Sequence, residues 1–359
     1  MLSAGAIESG IRTGGEGHSL PPVAYAHGFS IRKRAHLRRF VPQTRITFVR
    51  NGASIPERGT LLLWGSASAP DDTPATAQIV RMEDGFLRSV GLGAELVRPI
   101  SWVLDRNGIY YDSTRSSQLE HIIQTQTCPT ELLARAARLR SKIVTAGITK
   151  YSVGGKSWRR PRNRNPVVLV VGQVESDASL KYGAAQIRTN LALARAARCA
   201  NPSAYLVYKP HPDVVAGLRA KGAQEGEISR YCDEIVTDAP MSIMLAEVDA
   251  VHVLTSLAGF EALLRDKVVV CHGQPFYSGW GMTHDNIPVE RRRRRVTLDE
   301  LVAAALIQYP LYVSRLDGRL IGPEQALEEL ISWRARSAKA FRPWQPLWRS
   351  ILRLAVGAR

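Results

Sequence analysis

The chain has 359 residues, 45% apolar and 22% charged, which is enough for two ordinary domains with full cores. No stretch approaches the ~18 apolar residues of a membrane span, and four scattered cysteines (Cys128, Cys199, Cys232, Cys271) argue against a zinc site or a disulfide scaffold. The formal net charge of +16 points to an anionic partner: nucleic acid, acidic lipid or a phosphorylated substrate.

Residues 1–22 lack a continuous apolar run and read as a flexible leader, not a signal peptide. "VAYAHGF" (23–29) reads as a strand, followed by a basic helix; the block 31–50 carries seven Lys or Arg and no acid. "RITFV" and "TLLLWGS" read as strands, "AQIVRMEDGF" as an apolar run entering a loop, and "RPISWVLD" with "GIYYD" as a hairpin. "LEHIIQ" and "TELLARAARLRSKIVTAG" have the i, i+3, i+4, i+7 apolar spacing of helices. The aperiodic segment 151–166, rich in Gly, Pro, Arg and Asn, marks a linker. These signals predict a first domain over 23–150, a second over 167–310, and C-terminal helices with a basic tail over 311–359.

The second half opens with "VVLVVGQ", a β-branched run without polar alternation, as in a parallel strand buried on both faces. The strands "AYLVYKPH", "AVHVLTS" and "KVVVCHG" then alternate with the helices "IRTNLALARAARCA", "MSIMLAEV" and "LAGFEALLRD", which predicts a doubly wound α/β sheet. "LDELVAAALIQY" and "PEQALEELISWRARSAKAF" read as helices, and the run Arg291 to Arg295 as a solvated loop, with lipid headgroups or an acidic polymer as alternative contacts. The tail 331–359 interleaves seven Lys or Arg with Trp333, Trp344 and Trp348. It fits an interfacial membrane anchor and, equally, a helix docking its Trp residues on the domain.

Ligands of open α/β sheets bind beyond the carboxyl ends of the strands, where the unusual residues of this chain gather. Thr255 and Ser256 precede a helix and suit either an anion site or a plain N-cap. Lys209 and His211 sit on a turn stiffened by Pro210 and Pro212, which can aim a cation and an imidazole at a phosphate. Glu175 and Asp177 follow a buried strand and suit a nucleophile, a general base or an N-cap. Glu83, Asp84 and Arg88 follow an apolar run of the first domain. Carboxylates approaching one ligand from two domains are what glycosyl transfer with retention requires. The stretch "CHGQPFYSGWGMTHD" (271–285) reads as a loop that grips something flat or polar.

Taken in order, "EDGFLRS", "GQVESDAS", "YKPHPDVVAG", "TSLAGFEALL" and "GQPFYSGWGMT" resemble the bacterial capsular polysaccharide β-Kdo glycosyltransferases, the KpsC-like family, over about residues 24 to 330. The resemblance implies a GT-B-like pair of Rossmann-type domains around a deep cleft. It also implies retaining transfer of 3-deoxy-D-manno-oct-2-ulosonic acid (Kdo) from CMP-β-Kdo, building a linker on a lysophospholipid for capsule export. Carried over by position, it makes Asp177 the nucleophile, with Glu175 as runner-up, and Glu83 the acid/base. It assigns the donor phosphate to His211, Lys209 and Ser256, and the nucleotide walls to Gln274, Tyr277 and Trp280. Gly279 and Gly281 would allow close backbone approach, and Arg88 would meet the ulosonate carboxylate. The implied partners are CMP-Kdo, a lysophospholipid-linked Kdo acceptor, the anionic surface of the inner membrane on its cytoplasmic side, and other capsule-assembly proteins. Neither a metal, a cofactor nor nucleic acid is expected.

Two departures stand out. Well-known members carry two such modules, whereas each motif occurs once here, in forms closer to the second module; and Ser176 stands where an acidic residue is expected beside Asp177. A GT-B-like transferase using another nucleotide sugar, a basic module binding polymer or nucleic acid, and a non-catalytic scaffold in capsule assembly are the competing readings.

Overall fold

The computed structural model describes residues 19–91, 97–151, 155–164 and 166–339. Most of the expected leader and the tail with Trp344 and Trp348 lie outside the described residues.

Strands β1 (Val23–His27), β2 (Arg45–Phe48), β3 (Thr60–Trp64), β4 (Gln78–Asp84) and β5 (Ser101–Asp105) begin the first sheet. The second sheet holds β6 (Val167–Val171), β7 (Tyr205–Lys209), β8 (Glu234–Ile235), β9 (Ala250–Val253), β10 (Val268–Cys271) and β11 (His284–Asp285). The chain then returns, and β12 (Pro310–Val313) and β13 (Leu320–Ile321) complete the first sheet. The strand orders are β13-β12-β5-β4-β3-β1-β2 and β11-β10-β9-β6-β7-β8. All pairings in the second sheet are parallel, as the apolar run of β6 predicts: each of its five residues is buried. In the first sheet β2, β1, β3 and β4 are parallel, and β5, β12 and β13 add antiparallel pairings.

Two expectations need correction. "GIYYD" does not pair with β5. The buried Asp105 carboxylate accepts the backbone N–H groups of Asn107, Gly108 and Gln118, at 2.8–3.0 Å, so the chain turns away as a loop that carries Tyr110 and Tyr111. The segment after 310 is not only helix and tail: β12 lies antiparallel to β5, which leaves the C-terminal part of the chain in the first sheet.

The helix Leu298–Val302 starts at a capping box between Thr297 and Glu300, and the helix Pro323–Lys339 is tied to the helix Thr130–Thr145 by Arg135–Glu324 and Lys142–Glu328. The described part of 155–164 lies against the second sheet's domain: Trp158 is buried, its indole N–H on Glu234 at 3.0 Å. One core runs through both domains, uniting Phe86, Ile100 and Leu119 with Leu169, Val251 and Phe260. Its seam is aromatic, with Phe86 stacked on Phe276 at 4.4 Å between ring centres.

Candidate active site

Strand β4 ends in two carboxylates that the pleat sends to opposite faces. Asp84 accepts from Arg88 Nε at 2.6 Å and from Trp102 Nε1 at 3.1 Å. Burial opposes its charge, but Arg88 outweighs that and holds the carboxyl below its usual range. Glu83 is the opposite case. Burial, and then the charge of Asp84, raise it to about 7, against weaker pulls from Lys33 and Lys150. Gly65 opposite it has φ +55°, and a Cβ there would stand 3.0 Å from both Glu83 Oε2 and Tyr111 Oη. A glycine therefore lets the acid and the phenol share this corner.

On the second sheet the switch point lies between β6 and β9, the usual place for a ligand. Gln173 bridges the two strand ends, accepting from Thr255 N at 2.8 Å and donating to Thr255 Oγ1 at 3.0 Å. It is held in turn by Asn190, whose side chain accepts its N–H and donates to its carbonyl, both at 2.9 Å. Beyond it Asp177 caps the helix Ala178–Gly183, one oxygen accepting from Ser179 N at 3.0 Å. Its side chain is exposed. Glu175 is fully engaged: its two oxygens accept from Asn190 N at 2.7 Å and Ala223 N at 2.8 Å. Of the two carboxylates, only Asp177 keeps an oxygen for the cleft.

After β7, His211 caps the turn Pro212–Val215, its Nδ1 accepting from Asp213 N at 3.1 Å. That bond leaves the ring proton on Nε2. Burial, then the charge of Lys150, lower the imidazole to about 4, so it is a neutral donor at physiological pH. After β9, Ser256 caps the helix Leu257–Leu263, accepting from Ala258 N at 3.2 Å. Its own hydrogen remains free to donate. Among the described residues no group of three or more His, Cys, Asp or Glu gathers to hold a metal ion, and no helix is long and apolar enough to cross a membrane.

The family model of capsule polysaccharide biosynthesis proteins matches residues 60–153 and 141–319. The chain belongs to this family. It is 41% identical over 317 residues to the capsule polysaccharide modification protein LipA of Neisseria meningitidis, covering 86% of this chain and 45% of LipA. It is 40% identical over 308 residues to the lipopolysaccharide-processing protein LpsZ of Rhizobium meliloti, covering 81% of this chain and 70% of LpsZ. The chain thus spans less than half the length of LipA. Among solved structures, the β-Kdo 2,7 transferase of Thermosulfurimonas dismutans KpsC matches with a TM-score of 0.72 and 37% identity, over 88% of this chain and 100% of that one. The β-Kdo 2,4 transferase of the same KpsC matches with 0.77 and 32%, over 85% and 97%. Identity favours the first and shape the second, and the GT-B-like fold is common to both.

Within this capsule-family fold, the expected site residues divide into two groups. Glu83, Asp177, His211 and Ser256 lie at the facing strand ends, and the phenol of Tyr111 feels the charge of both Glu83 and Asp177. The others are engaged inside the protein. Lys209, expected on a phosphate, is buried and donates to the Ala239 carbonyl at 2.6 Å; burial lowers it to about 8. Tyr277 and Trp280, expected as pocket walls, are fully buried. The Tyr277 hydroxyl bonds the Ser256 carbonyl, and the Trp280 indole bonds the Phe276 carbonyl. Both shape the loop from within. Gln274 joins the domains, 2.9 Å from Ser113 Oγ and 2.7 Å from the Pro288 carbonyl. Gly279 (φ +81°) and Gly281 (φ +88°) make room for the side chains of Arg292 and Arg295. Arg88 is closed on Asp84.

The run Arg291–Arg295 is solvated only in part: Arg293 and Arg295 are exposed, while Arg291, Arg292 and Arg294 are engaged with the protein. Arg291 and Arg292 grip Glu120 of the helix Gln118–Thr125, Arg292 also holds the Ser278 carbonyl at 2.9 Å, and Arg294 takes the Ile123 carbonyl at 2.9 Å. Lys150, Tyr110, Tyr111 and Gln173 are the site-forming residues that sequence reasoning missed. Only the position of Gln173, directly after a buried strand, offered a signal.

Proposed function

We propose that this chain is a retaining glycosyltransferase that moves Kdo from CMP-β-Kdo to a Kdo-terminated glycolipid. Asp177 attacks the anomeric carbon, the bond from that carbon to the phosphate oxygen breaks, and CMP leaves with the electron pair. His211 Nε2–H and the Ser256 hydroxyl stabilise the departing phosphate. Glu83 then takes the proton of the acceptor hydroxyl as its oxygen displaces Asp177, so two inversions give net retention. An acid/base with a pKa of about 7 suits that proton transfer at neutral pH.

The observation that carries this reading is the pair of adjacent phenols, Tyr110 and Tyr111, each within electrostatic reach of one carboxylate from each domain. Membership of the family and similarity to two Kdo transferases supply the sugar. The helix Ile31–Phe40 exposes Arg32, Arg34, Arg38 and Arg39, with Ile31 84% exposed, which fits an acceptor carried on an anionic membrane.

The test is intact-protein mass spectrometry after incubation with freshly generated CMP-Kdo, with transfer to a Kdo-terminated acceptor followed in parallel. Wild type should give product or a one-Kdo adduct, and Asp177→Ala neither. A protein that binds CMP but yields neither from CMP-Kdo would redirect the reading to another sugar or a non-catalytic role.

A further inference from the structure

With Arg88 only 7% exposed and bonded to Asp84 at 2.6 Å and Ser89 Oγ at 3.0 Å, the ulosonate carboxylate needs another cation. Both oxygens of Asp84 are occupied, by Arg88 and Trp102, so this pair neutralises itself. Lys150 stands beside it with its charge uncommitted. Among the described residues its ammonium has neither a hydrogen bond nor an ion pair, and it lies 5.4 Å from the centre of the Tyr151 ring. Burial works against the charge, yet Tyr151 and Asp84 hold the ammonium above the ordinary lysine range, with Asp177 adding to the effect. Lys150 is half-buried, and its three N–H donors stay open to an anion that enters the cleft.

The backbone of Lys150 is fixed from both domains. Its N–H donates to the buried Glu261 carboxylate at 2.6 Å, and its carbonyl accepts from Ser89 N at 3.2 Å. Glu261 belongs to the helix that Ser256 caps, so the phosphate-side hydroxyl and the anchor of Lys150 move as one piece.

We propose that Lys150 binds the carboxylate of a 2-keto sugar acid, with Glu261 as its positioning residue. This rests on the reading that Asp177 attacks such a sugar. The anomeric carbon of an ulosonate bears its carboxylate directly, so the attacking carboxylate must approach a second anion. Lys150 acts electrostatically on Asp84, Asp177 and His211, and so lies where it relieves that repulsion. A neutral sugar makes no such demand. The lysine therefore selects for the acid as well as holding it.

The experiment titrates the full chain, wild type and Lys150→Met, with CMP, free Kdo and Kdo methyl ester by calorimetry, and measures donor kinetics. Wild type should prefer the acid to the ester by about tenfold, and Lys150→Met should lose that preference while binding CMP as before, which also shows that it folds. Lys150→Arg should recover part of the preference. Glu261→Ala should weaken Kdo binding more than CMP binding. If Lys150→Met still prefers the acid, or loses CMP affinity equally, Lys150 is not the carboxylate's partner. Wild type that makes product yet shows no acid preference overturns this inference alone. Wild type that binds CMP but neither binds Kdo nor makes product overturns the function itself.

Discussion

On the second-sheet wall Asp177, His211 and Ser256 each cap a short helix, whereas on the first-sheet wall Glu83, Asp84, Arg88 and Lys33 are held largely by one another and by burial. A cap aims a side chain through local backbone geometry and leaves its remaining valences open. A desolvated charge cluster does something else: it sets proton affinity, raising Glu83 and lowering its neighbour Asp84. One wall supplies position and the other supplies protonation state. Substitutions on the two walls should therefore trade activity against stability in opposite ways.

Asp177→Ala sharpens this contrast most. Turnover should fall roughly a thousandfold or more, while loss of the cap costs only about 1 kcal/mol. Asp177→Asn preserves the cap, so it should lose the same activity at nearly unchanged stability in a urea titration. Retained turnover in both would break the assignment and move the nucleophile elsewhere.

Glu83→Gln should lower kcat by about a hundredfold and yet stabilise the protein in alkaline solution. The folded-state pKa of about 7 lies above the ordinary 4.5, so ionisation of Glu83 penalises folding. That penalty is absent below the ordinary value and complete above about 7, where it amounts to roughly 3 kcal/mol. Melting curves at pH 5 and pH 8.5 should show the variant gaining on wild type only at the higher pH. In the rate profile kcat/KM should rise with pH up to about 7, and this limb should vanish in Glu83→Gln. His211, lowered to about 4, should add no inflection between pH 5.5 and 8.

Arg292→Ala tests the region outside both walls. It leaves Glu120 buried with only Arg291 and should cost about 3 kcal/mol in urea unfolding. A change below about 0.5 kcal/mol would mean that the solvent-exposed reading of the run was right. Ser256→Ala should have the smallest effect, about 1 kcal/mol for the lost cap, with a modest rise in KM for the donor.

Strands β6, β9 and β10 were legible because buried parallel strands announce themselves as unbroken apolar runs, whereas the short β8, β11, β12 and β13 carried no such signal. Asp177 and Ser256 stood out for the same reason: each lies within six residues of such a run. Lys150 could not, since "GITKYS" has no pattern and its meaning depends on Glu261, more than a hundred residues away. Tyr111 was hidden because "GIYYD" has good strand propensity, and only the capture of three N–H groups by Asp105 turns it into a loop. The aromatics Tyr277 and Trp280, set among glycines, imitated a ligand platform; their polar atoms are satisfied inside the loop. The arginine run misled at Arg291 and Arg292, because like charges look solvated until Glu120, a distant residue, is placed beneath them.

The polypeptide passes from the first sheet to the second through 150–166 and returns through 286–297. Two covalent crossings join the domains, and the shared core with its stacked Phe86–Phe276 seam clamps them together between those crossings. Lys150 stands on one crossing and the arginine run rivets the other.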